Sequence, residues 1–240
     1  MKLGGRRLVK RAAIAVDRVV GPPLRKVGVN TKGLYEYAYW RSRQFEEKEF
    51  GNTFYQRMFT RSVGLTFRFY RGKRILDVGC GPRGSLEWAS HAAERVGVDV
   101  LVGRYRRFGI NDHEMRYVEA GAEDVPFSDG HFDVVTSFNS LDHVDDVAAA
   151  LREMTRVLAV GGTLILVVDI HSEPTVAEPH ALPWDLRTWL DPSLEVVDER
   201  HLEKAGPFLV EQVPFDHDDP TDRYGVLVLR AVTRDDAADR

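Results

Sequence analysis

Five short runs rich in aliphatic and β-branched residues recur through the middle of the chain: RILDVG (74–79), RVGVDV (95–100), MRYVEA (115–120), FDVVTSF (132–138) and GTLILVVDI (162–170). Between them, the stretches 85–93, 102–108 and 145–158 space their apolar positions for helices, and in the last Leu151, Met154 and Leu158 share one face. Near-continuous apolar runs alternating with helical patterns predict an α/β fold, because parallel strands need crossovers that lay helices on both faces of the sheet. After residue 170 the cadence changes to a Pro-rich stretch with a short helix around 184–190. Then come LEVVDERHLEK (194–204) and YGVLVLRAVTR (224–234), with no helix between them. That pairing predicts an antiparallel edge to the sheet.

Upstream of this alternation the pattern is different. Residues 34–70 are aromatic and charged, including YEYAYWRSRQFEEKEF, and predict one or two helices whose rings serve packing. Residues 1–34 carry nine Lys and Arg against the single acid Asp17, with Leu8, Ala12, Val16 and Val19 near helical spacing and a stop at Gly21-Pro22-Pro23. The expected organisation is a basic arm or helix (1–34), a helical cap (35–71), a core (72–234) and a disordered tail (235–240). A basic amphipathic helix suits peripheral contact with an anionic membrane, although a solvated terminal helix has the same pattern.

Composition narrows the class. A chain of 240 residues, 43% hydrophobic and 29% charged, supports one sizeable globular domain. Its net charge of -4 gives no whole-chain argument for nucleic acid, and none is expected as a partner. No apolar run reaches the ~20 residues of a spanning helix. The longest uncharged piece of the N-terminus, AAIAV, is shorter than the roughly 7–15 residues of a signal-peptide core, so the arm reads as uncleaved. The single cysteine, Cys80, cannot form an internal bridge, which points to a reducing, cytoplasmic setting. Oligomeric state is not legible.

The candidate chemistry starts at the end of the first run. Gly79, Gly81 and Gly84 permit a tight turn and close approach of a ligand to main chain. A glycine loop alone is a weak signal that a dinucleotide-binding loop would share. Asp77, two residues before the first glycine, disfavours a pyrophosphate and suits a ligand with a cationic amine. Asp99 ends the second run 22 residues later, where a carboxylate serves either a ribose diol or a helix N-cap.

The ordered blocks LDVGCGPRG, VGVD, AEDVPFSDGHFDVV and REMTRVLAVGGTLIL resemble the class I S-adenosylmethionine-dependent methyltransferases, in the small-molecule group, over about residues 72–170. The resemblance implies a Rossmann-like doubly wound sheet of seven strands, mostly parallel with a C-terminal antiparallel hairpin and preceded by helices. It implies S-adenosylmethionine as cofactor, with Asp77, Gly79, Cys80 and Gly81 along its methionine part and Asp99 on the ribose. Val100 would flank the adenine, Ala122 and Glu123 would lie at its edge, and Asn139 would end the fourth strand beneath the sulfonium. Two positions depart from the family pattern. Gly121 stands where an acid often precedes the alanine, so Glu123 or a backbone amide must read the adenine amine. Ala159-Val160 replaces the usual Lys-Pro before the Gly-Gly turn.

Methyl transfer is an in-line displacement, and a hydroxyl acceptor must lose its proton. In SFNSLDHVDD, His143 is the candidate base, with Asp142 or Asp145 to orient it or hold a metal; a packed histidine is the competing reading. Asp169, His171, Glu178 and His180 are candidate substrate contacts. Hard oxygen ligands there would suit magnesium, although no fixed spacing supports a metal. Trp184 and Trp189 are candidates for stacking on a sugar, with burial as the alternative. The polar lining favours a hydroxyl-rich small molecule or oligosaccharide as acceptor, as does a softer resemblance to bacterial sugar and polysaccharide O-methyltransferases. An N- or carboxyl-methyltransferase, or a non-catalytic S-adenosylmethionine-binding regulator, is the alternative.

Overall fold

The computed structural model describes residues 26, 30–170, 174, 178–183, 186–206, 209–213 and 223–231. The proposed helix of the basic arm, His171, Trp184 and the tail 235–240 lie outside the described residues.

The apolar runs become strands β1 (Arg74–Val78), β2 (Glu94–Val98), β3 (Arg116–Val118), β4 (Phe132–Phe138) and β5 (Leu158–Ile170). They are followed by β6 (Leu194–Gly206), β7 (Leu209–Val213) and β8 (Arg223–Ala231). The sheet order is β3-β2-β1-β4-β5-β8-β6-β7, parallel from β3 through β5. β8 runs antiparallel between β5 and β6. Seven strands make the expected mixed sheet. The eighth, β7, pairs antiparallel with β6 at the rim. β6 and β8 are antiparallel as expected, but β8 is interior rather than marginal. Its consecutive Leu227, Val228 and Leu229 are all buried, as befits a strand covered on both faces. The order reverses between β1 and β4, so both carboxyl ends open onto the crevice where ligands bind in such sheets.

One face of the sheet is covered by helix α4 (Val147–Val157; α1 to α3 are introduced below), which buries Ala150, Leu151, Met154 and Val157. Asp146 caps it by accepting from the Ala149 amide at 2.9 Å. The other face is covered by residues upstream of the sheet: helix α2 (Phe54–Phe59) and the turns that follow it put Tyr55, Met58, Phe59, Val63 and Tyr70 against Ile75, Val134, Ile165 and Val167. This explains a departure from expectation. Residues 85–93 form no helix but successive turns, closed by the amides of Glu87, Ala89 and Ala92 on the carbonyls of Gly84, Leu86 and Ala89. The ring of Trp88 stacks on Phe59 and meets Tyr70 edge-on, so the face a crossover helix would cover is already filled by aromatics.

The stretch 102–108 splits into a one-turn helix, α3 (Val102–Tyr105), and a 3-10 turn (Arg106–Phe108) ended by Gly109. Residues 184–190 are represented by a 3-10 turn, Leu186–Trp189, whose Trp189 is exposed. Helix α1 (Thr31–Glu47), capped by Asn30, packs Tyr37 and Trp40 with Phe50 onto Leu101, Tyr105 and Phe108. That contact lays it across the carboxyl end of β1 and β2. Among the described residues no helix is long and apolar enough to cross a membrane.

Candidate active site

The glycine loop leaves β1 as a tight turn in which Gly79 and Gly81 have φ of 76° and 59°, the left-handed region that glycine enters without strain. The Gly79 amide donates to the Val98 carbonyl at 2.8 Å. A Cβ on Gly79 would overlap the Ser140 side chain, and one on Gly81 would come within 3.0 Å of Trp40 Cζ2. The glycines therefore make room first for the protein's own side chains: Ser140 from the end of β4, and an indole from α1. Ser140 Oγ donates to the Val78 carbonyl at 2.8 Å and shares a hydrogen bond with Ser137, tying the ends of β1 and β4 together.

Beneath the loop, Asp77 is buried and accepts from the hydroxyls of Ser85 and Thr136. Burial pushes its carboxyl up to about 6 against the opposing pull of those two hydrogen bonds. Its charge reaches the loop as a field, because both oxygens are engaged internally. Asp99 accepts from the Gly81 amide at 3.1 Å and the Leu101 amide at 2.9 Å. Desolvation raises it also to about 6, with Glu36 adding to the rise. Of the two functions open for Asp99, the structure shows the one at the start of the helix, through the Leu101 amide, and adds a bond that steadies the loop. The Cys80 side chain turns under the loop, where Gly97 leaves space for its sulfur, and burial drives its thiol far up.

Val100, Gly121 and Glu123, expected at the adenine, converge. Val100 is exposed, and a Cβ on Gly121 would lie 3.9 Å from Val100 and 3.0 Å from Glu123 Oε2. The missing acid at 121 is what admits the Glu123 carboxylate. Its other oxygen accepts from the amides of Asp145 and Asp146 at 2.7 and 3.2 Å, and Ala122 packs against the core. Asn139 ends β4 at φ 49°, with its amide on the Val167 carbonyl at 2.7 Å. Its Oδ1 is buried and finds no donor among the described residues. A carbonyl oxygen stranded beside a glycine loop costs free energy unless a ligand donor meets it. The residues present therefore fit a cofactor carrying an amine, a diol and an adenine.

Past β4, a 3-10 turn (Leu141–His143) buries Asp142 and presents His143. His143 Nδ1 lies 3.5 Å from Glu36 Oε2, and its Nε2 lies 3.8 Å from Asp142 Oδ1. The irregular segment following residue 178 folds over this turn: the His180 amide reaches the Asp142 carbonyl at 3.4 Å, and its Nε2 lies 3.1 Å from the Val144 carbonyl. Glu178 is thereby delivered to His143, and ligand atoms of Asp142, His143 and Glu178 lie within 4.8 Å of one another. Of the four predicted substrate residues, Glu178 approaches the candidate base and His180 bonds to the turn that carries it. Asp169 sits further back, near the end of β5, in register with Tyr224.

Three residues at the candidate site went unread in the sequence. Ser140 carried no motif signal. Arg83 lies inside the quoted GPRG but is almost wholly buried, paired with Glu47 of α1 at 2.7 and 2.9 Å and 4.6 Å from the Phe50 ring centre. Glu36, in an aromatic stretch read as packing, accepts from Trp40 Nε1 at 2.8 Å and faces His143. The i,i+4 spacing of Glu36 and Trp40 was the available clue.

Residues 76–166 match the family described as a methyltransferase domain. Over this segment the chain is similar to that family, and its mixed sheet is the Rossmann-like methyltransferase fold. The chain is 34% identical over 123 residues to the chloroplastic tocopherol O-methyltransferase of Arabidopsis thaliana, across 47% of this chain and 35% of that protein. It is 32% identical over 158 residues to the O-methyltransferase resE of Aspergillus sclerotiorum, across 62% of this chain and 58% of that one. The chain thus spans about a third to three fifths of the length of these curated relatives. A SAM-dependent methyltransferase from Thermotoga maritima superimposes with a TM-score of 0.57 at 16% identity, covering 81% of this chain and 96% of its own, which shows the shared fold. The matched segment contains the glycine loop, Asp99, Asn139 and His143. Glu36 and Glu178 lie outside it.

Proposed function

We propose that the protein transfers a methyl group from S-adenosylmethionine to a hydroxyl of a small polar acceptor, a sugar or a polysaccharide end. When bound, the cofactor supplies an electrophilic methyl on a sulfonium, which the acceptor oxygen takes as the carbon–sulfur bond breaks and its electron pair stays on sulfur. The main chain at Gly79 and Gly81, the Asp99 carboxylate, the stranded Asn139 oxygen, and the Val100, Ala122 and Glu123 rim hold the donor. Asp77 and Asp99 place negative charge beneath it. His143 receives the hydroxyl proton, Asp142 lies at its Nε2 side, and Glu178 and His180 bound the acceptor side.

The observation that carries this reading is the convergence of His143, Asp142 and Glu178 at the carboxyl end of β4, one residue turn from the loop that binds the donor. Such a polar, partly buried lining suits hydroxyl groups better than an apolar ring. O-methyltransferases stand among the relatives beside an N-methyltransferase, so oxygen as the accepting atom rests on this polar lining. A buried free thiol at Cys80 supports a cytoplasmic setting.

The test pairs calorimetric titration of S-adenosylmethionine with methyl-transfer assays on a panel of mono- and oligosaccharides. His143→Ala is expected to leave cofactor affinity within about threefold while lowering turnover about 10²–10⁴-fold, the usual contribution of a general base. Full turnover in that variant removes His143 from the chemistry. Transfer to amines or carboxylates but to no hydroxyl on the panel removes the acceptor class.

A further inference from the structure

We propose that Glu36, on the N-terminal helix α1, is a positioning residue that holds His143 in the tautomer protonated on Nδ1, leaving Nε2 as the basic nitrogen. The inference rests on the reading of His143 as the proton acceptor and adds a residue from outside the methyltransferase-domain match.

The geometry is directional. Glu36 Oε1 accepts from the Trp40 indole N–H at 2.8 Å, one turn along α1, which fixes the carboxylate plane. Its second oxygen faces His143 Nδ1 at 3.5 Å, an ion-pair distance that one small side-chain adjustment converts to a hydrogen bond. Contacts of this kind are commonly long before substrates bind. A carboxylate only accepts, so the ring nitrogen facing it carries the proton. On the far side, Nε2 lies 3.8 Å from Asp142 Oδ1, the longer of the two approaches. Both ring nitrogens thus face a carboxylate; the proton is assigned to Nδ1, on the side of the nearer one, Glu36, which leaves Nε2 to take a proton. A carboxylate on one imidazole nitrogen with the other turned to substrate is the arrangement that orients catalytic histidines generally.

The scaffold holding Glu36 is firm. Trp40 sits over Gly81, and Arg83 within the glycine loop grips Glu47 at the other end of α1. Lys32 at the start of α1 pairs with Asp145 at 2.5 Å, two residues beyond His143. Both side chains of the Glu36–His143 pair are about three-quarters buried, with exposures of 25% and 24%, so solvent screens their interaction only partly. The helix that covers the donor loop thus also completes the acceptor side.

The experiment reads the tautomer directly, by long-range proton–nitrogen correlation on the full chain with ¹⁵N-labelled histidine, at a pH where the ring is neutral. His143 is assigned by the signals lost in His143→Gln. The wild type is expected to show Nδ1 protonated and Nε2 bare. Glu36→Leu, which cannot accept, is expected to shift His143 toward the Nε2–H form, whereas Glu36→Gln, which can, retains Nδ1–H. An Nε2–H or doubly protonated ring in the wild type, or no change in Glu36→Leu, overturns the proposal. If Glu36→Leu does not fold, Trp40→Phe removes the indole donor and must give a mixture of tautomers; an unmixed Nδ1–H signal there overturns the anchoring. No acceptor is needed for this readout. A confirmed tautomer in a protein that methylates no hydroxyl therefore sinks the proposed function alone, and the reverse result sinks Glu36 alone.

Discussion

The halves of the site proposed to hold the methyl donor and its acceptor, called the donor half and the acceptor half below, are built by different means. The donor half, at the ends of β1 and β2, is backbone wrapped on a buried and a half-buried acid: Gly79 and Gly81 in left-handed turns, Asp77 held by two hydroxyls, and Asp99 held by two amides. The acceptor half is assembled from side chains delivered by three distant stretches: Glu36 from α1, Asp142 and His143 after β4, and Glu178 after β5. Backbone cavities tolerate almost no change of residue, because each added atom meets main chain or a fixed neighbour. Side-chain clusters can exchange members while the fold stays intact. The same contrast explains why the methyltransferase-domain match covers the first half fully and the second only through His143 and its neighbours.

The largest expected effect tests the rigidity of the donor half. Gly79→Ala puts a Cβ into the Ser140 side chain at a φ of 76°, combining left-handed strain with overpacking. Together these are expected to cost about 3 kcal/mol. For a chain of this length that lowers the melting temperature by roughly 6–12 °C. Adding Ser140→Gly is expected to restore the overpacking share but not the strain share. Full recovery in the double variant would show that the turn itself is unstrained, and no loss in the single variant would break the picture of a backbone cavity.

Much of the donor half was legible because its signals are contiguous. A buried strand, an acid, three spaced glycines and a second strand ending in Asp99 all fall within one unit, and the strand pattern is set by local apolar runs. The same locality misled at 85–93. Leu86 and Ala89 are spaced for a helix and are indeed buried, but nothing local reveals that aromatics from residues 55–70 already cover that sheet face. Nor does it reveal that β8 would insert between β5 and β6, although its unbroken VLVL carried the hint of a strand covered on both faces. In the acceptor half, His143, Asp142, Glu178 and His180 were legible as residue types in polar loops. Glu36 and Arg83 were not, because their meaning depends on where α1 docks, a contact more than thirty residues distant in sequence from the loop it covers.

A smaller effect separates the halves by pH. Asp77 and Asp99 both stand at about 6, raised from an ordinary 3.8 by burial. Below that value each is increasingly neutral and loses its pull on a cationic amine or its full strength as an acceptor of ribose hydroxyls. At pH 5 each is about one-tenth ionised, so cofactor affinity is expected to fall about tenfold for each carboxylate that must be charged. The unliganded fold responds in the opposite direction. Because the folded-state values are raised, the cost of burying these charges is present above about pH 6 and is relieved as pH falls toward 4, so these two groups then favour folding. Calorimetric titrations and melting curves across pH 5–8 check both signs. An affinity independent of pH would mean that neither acid faces the ligand's charge, and Asp99→Asn shows which of the two carries the dependence.

The smallest effect probes how the acceptor half is held. Lys32 and Asp145 join the start of α1 to the turn beyond His143, but Asp145 is 89% exposed, so water and salt screen the pair. Exposed pairs of this kind contribute about 0.2–1 kcal/mol. Lys32→Ala is expected to lower the melting temperature by no more than about 4 °C and to leave cofactor affinity unchanged. The firm attachment of α1 lies at its other end, where Arg83 is buried against Glu47 and the rings of Phe50 and Trp40. If Lys32→Ala instead destabilised the protein as strongly as Gly79→Ala, the acceptor half would be as intolerant as the donor half. The division between a backbone-built and a side-chain-built half would then fail, because an exposed ion pair would be fixing α1 over the site in place of its buried contacts with the glycine loop.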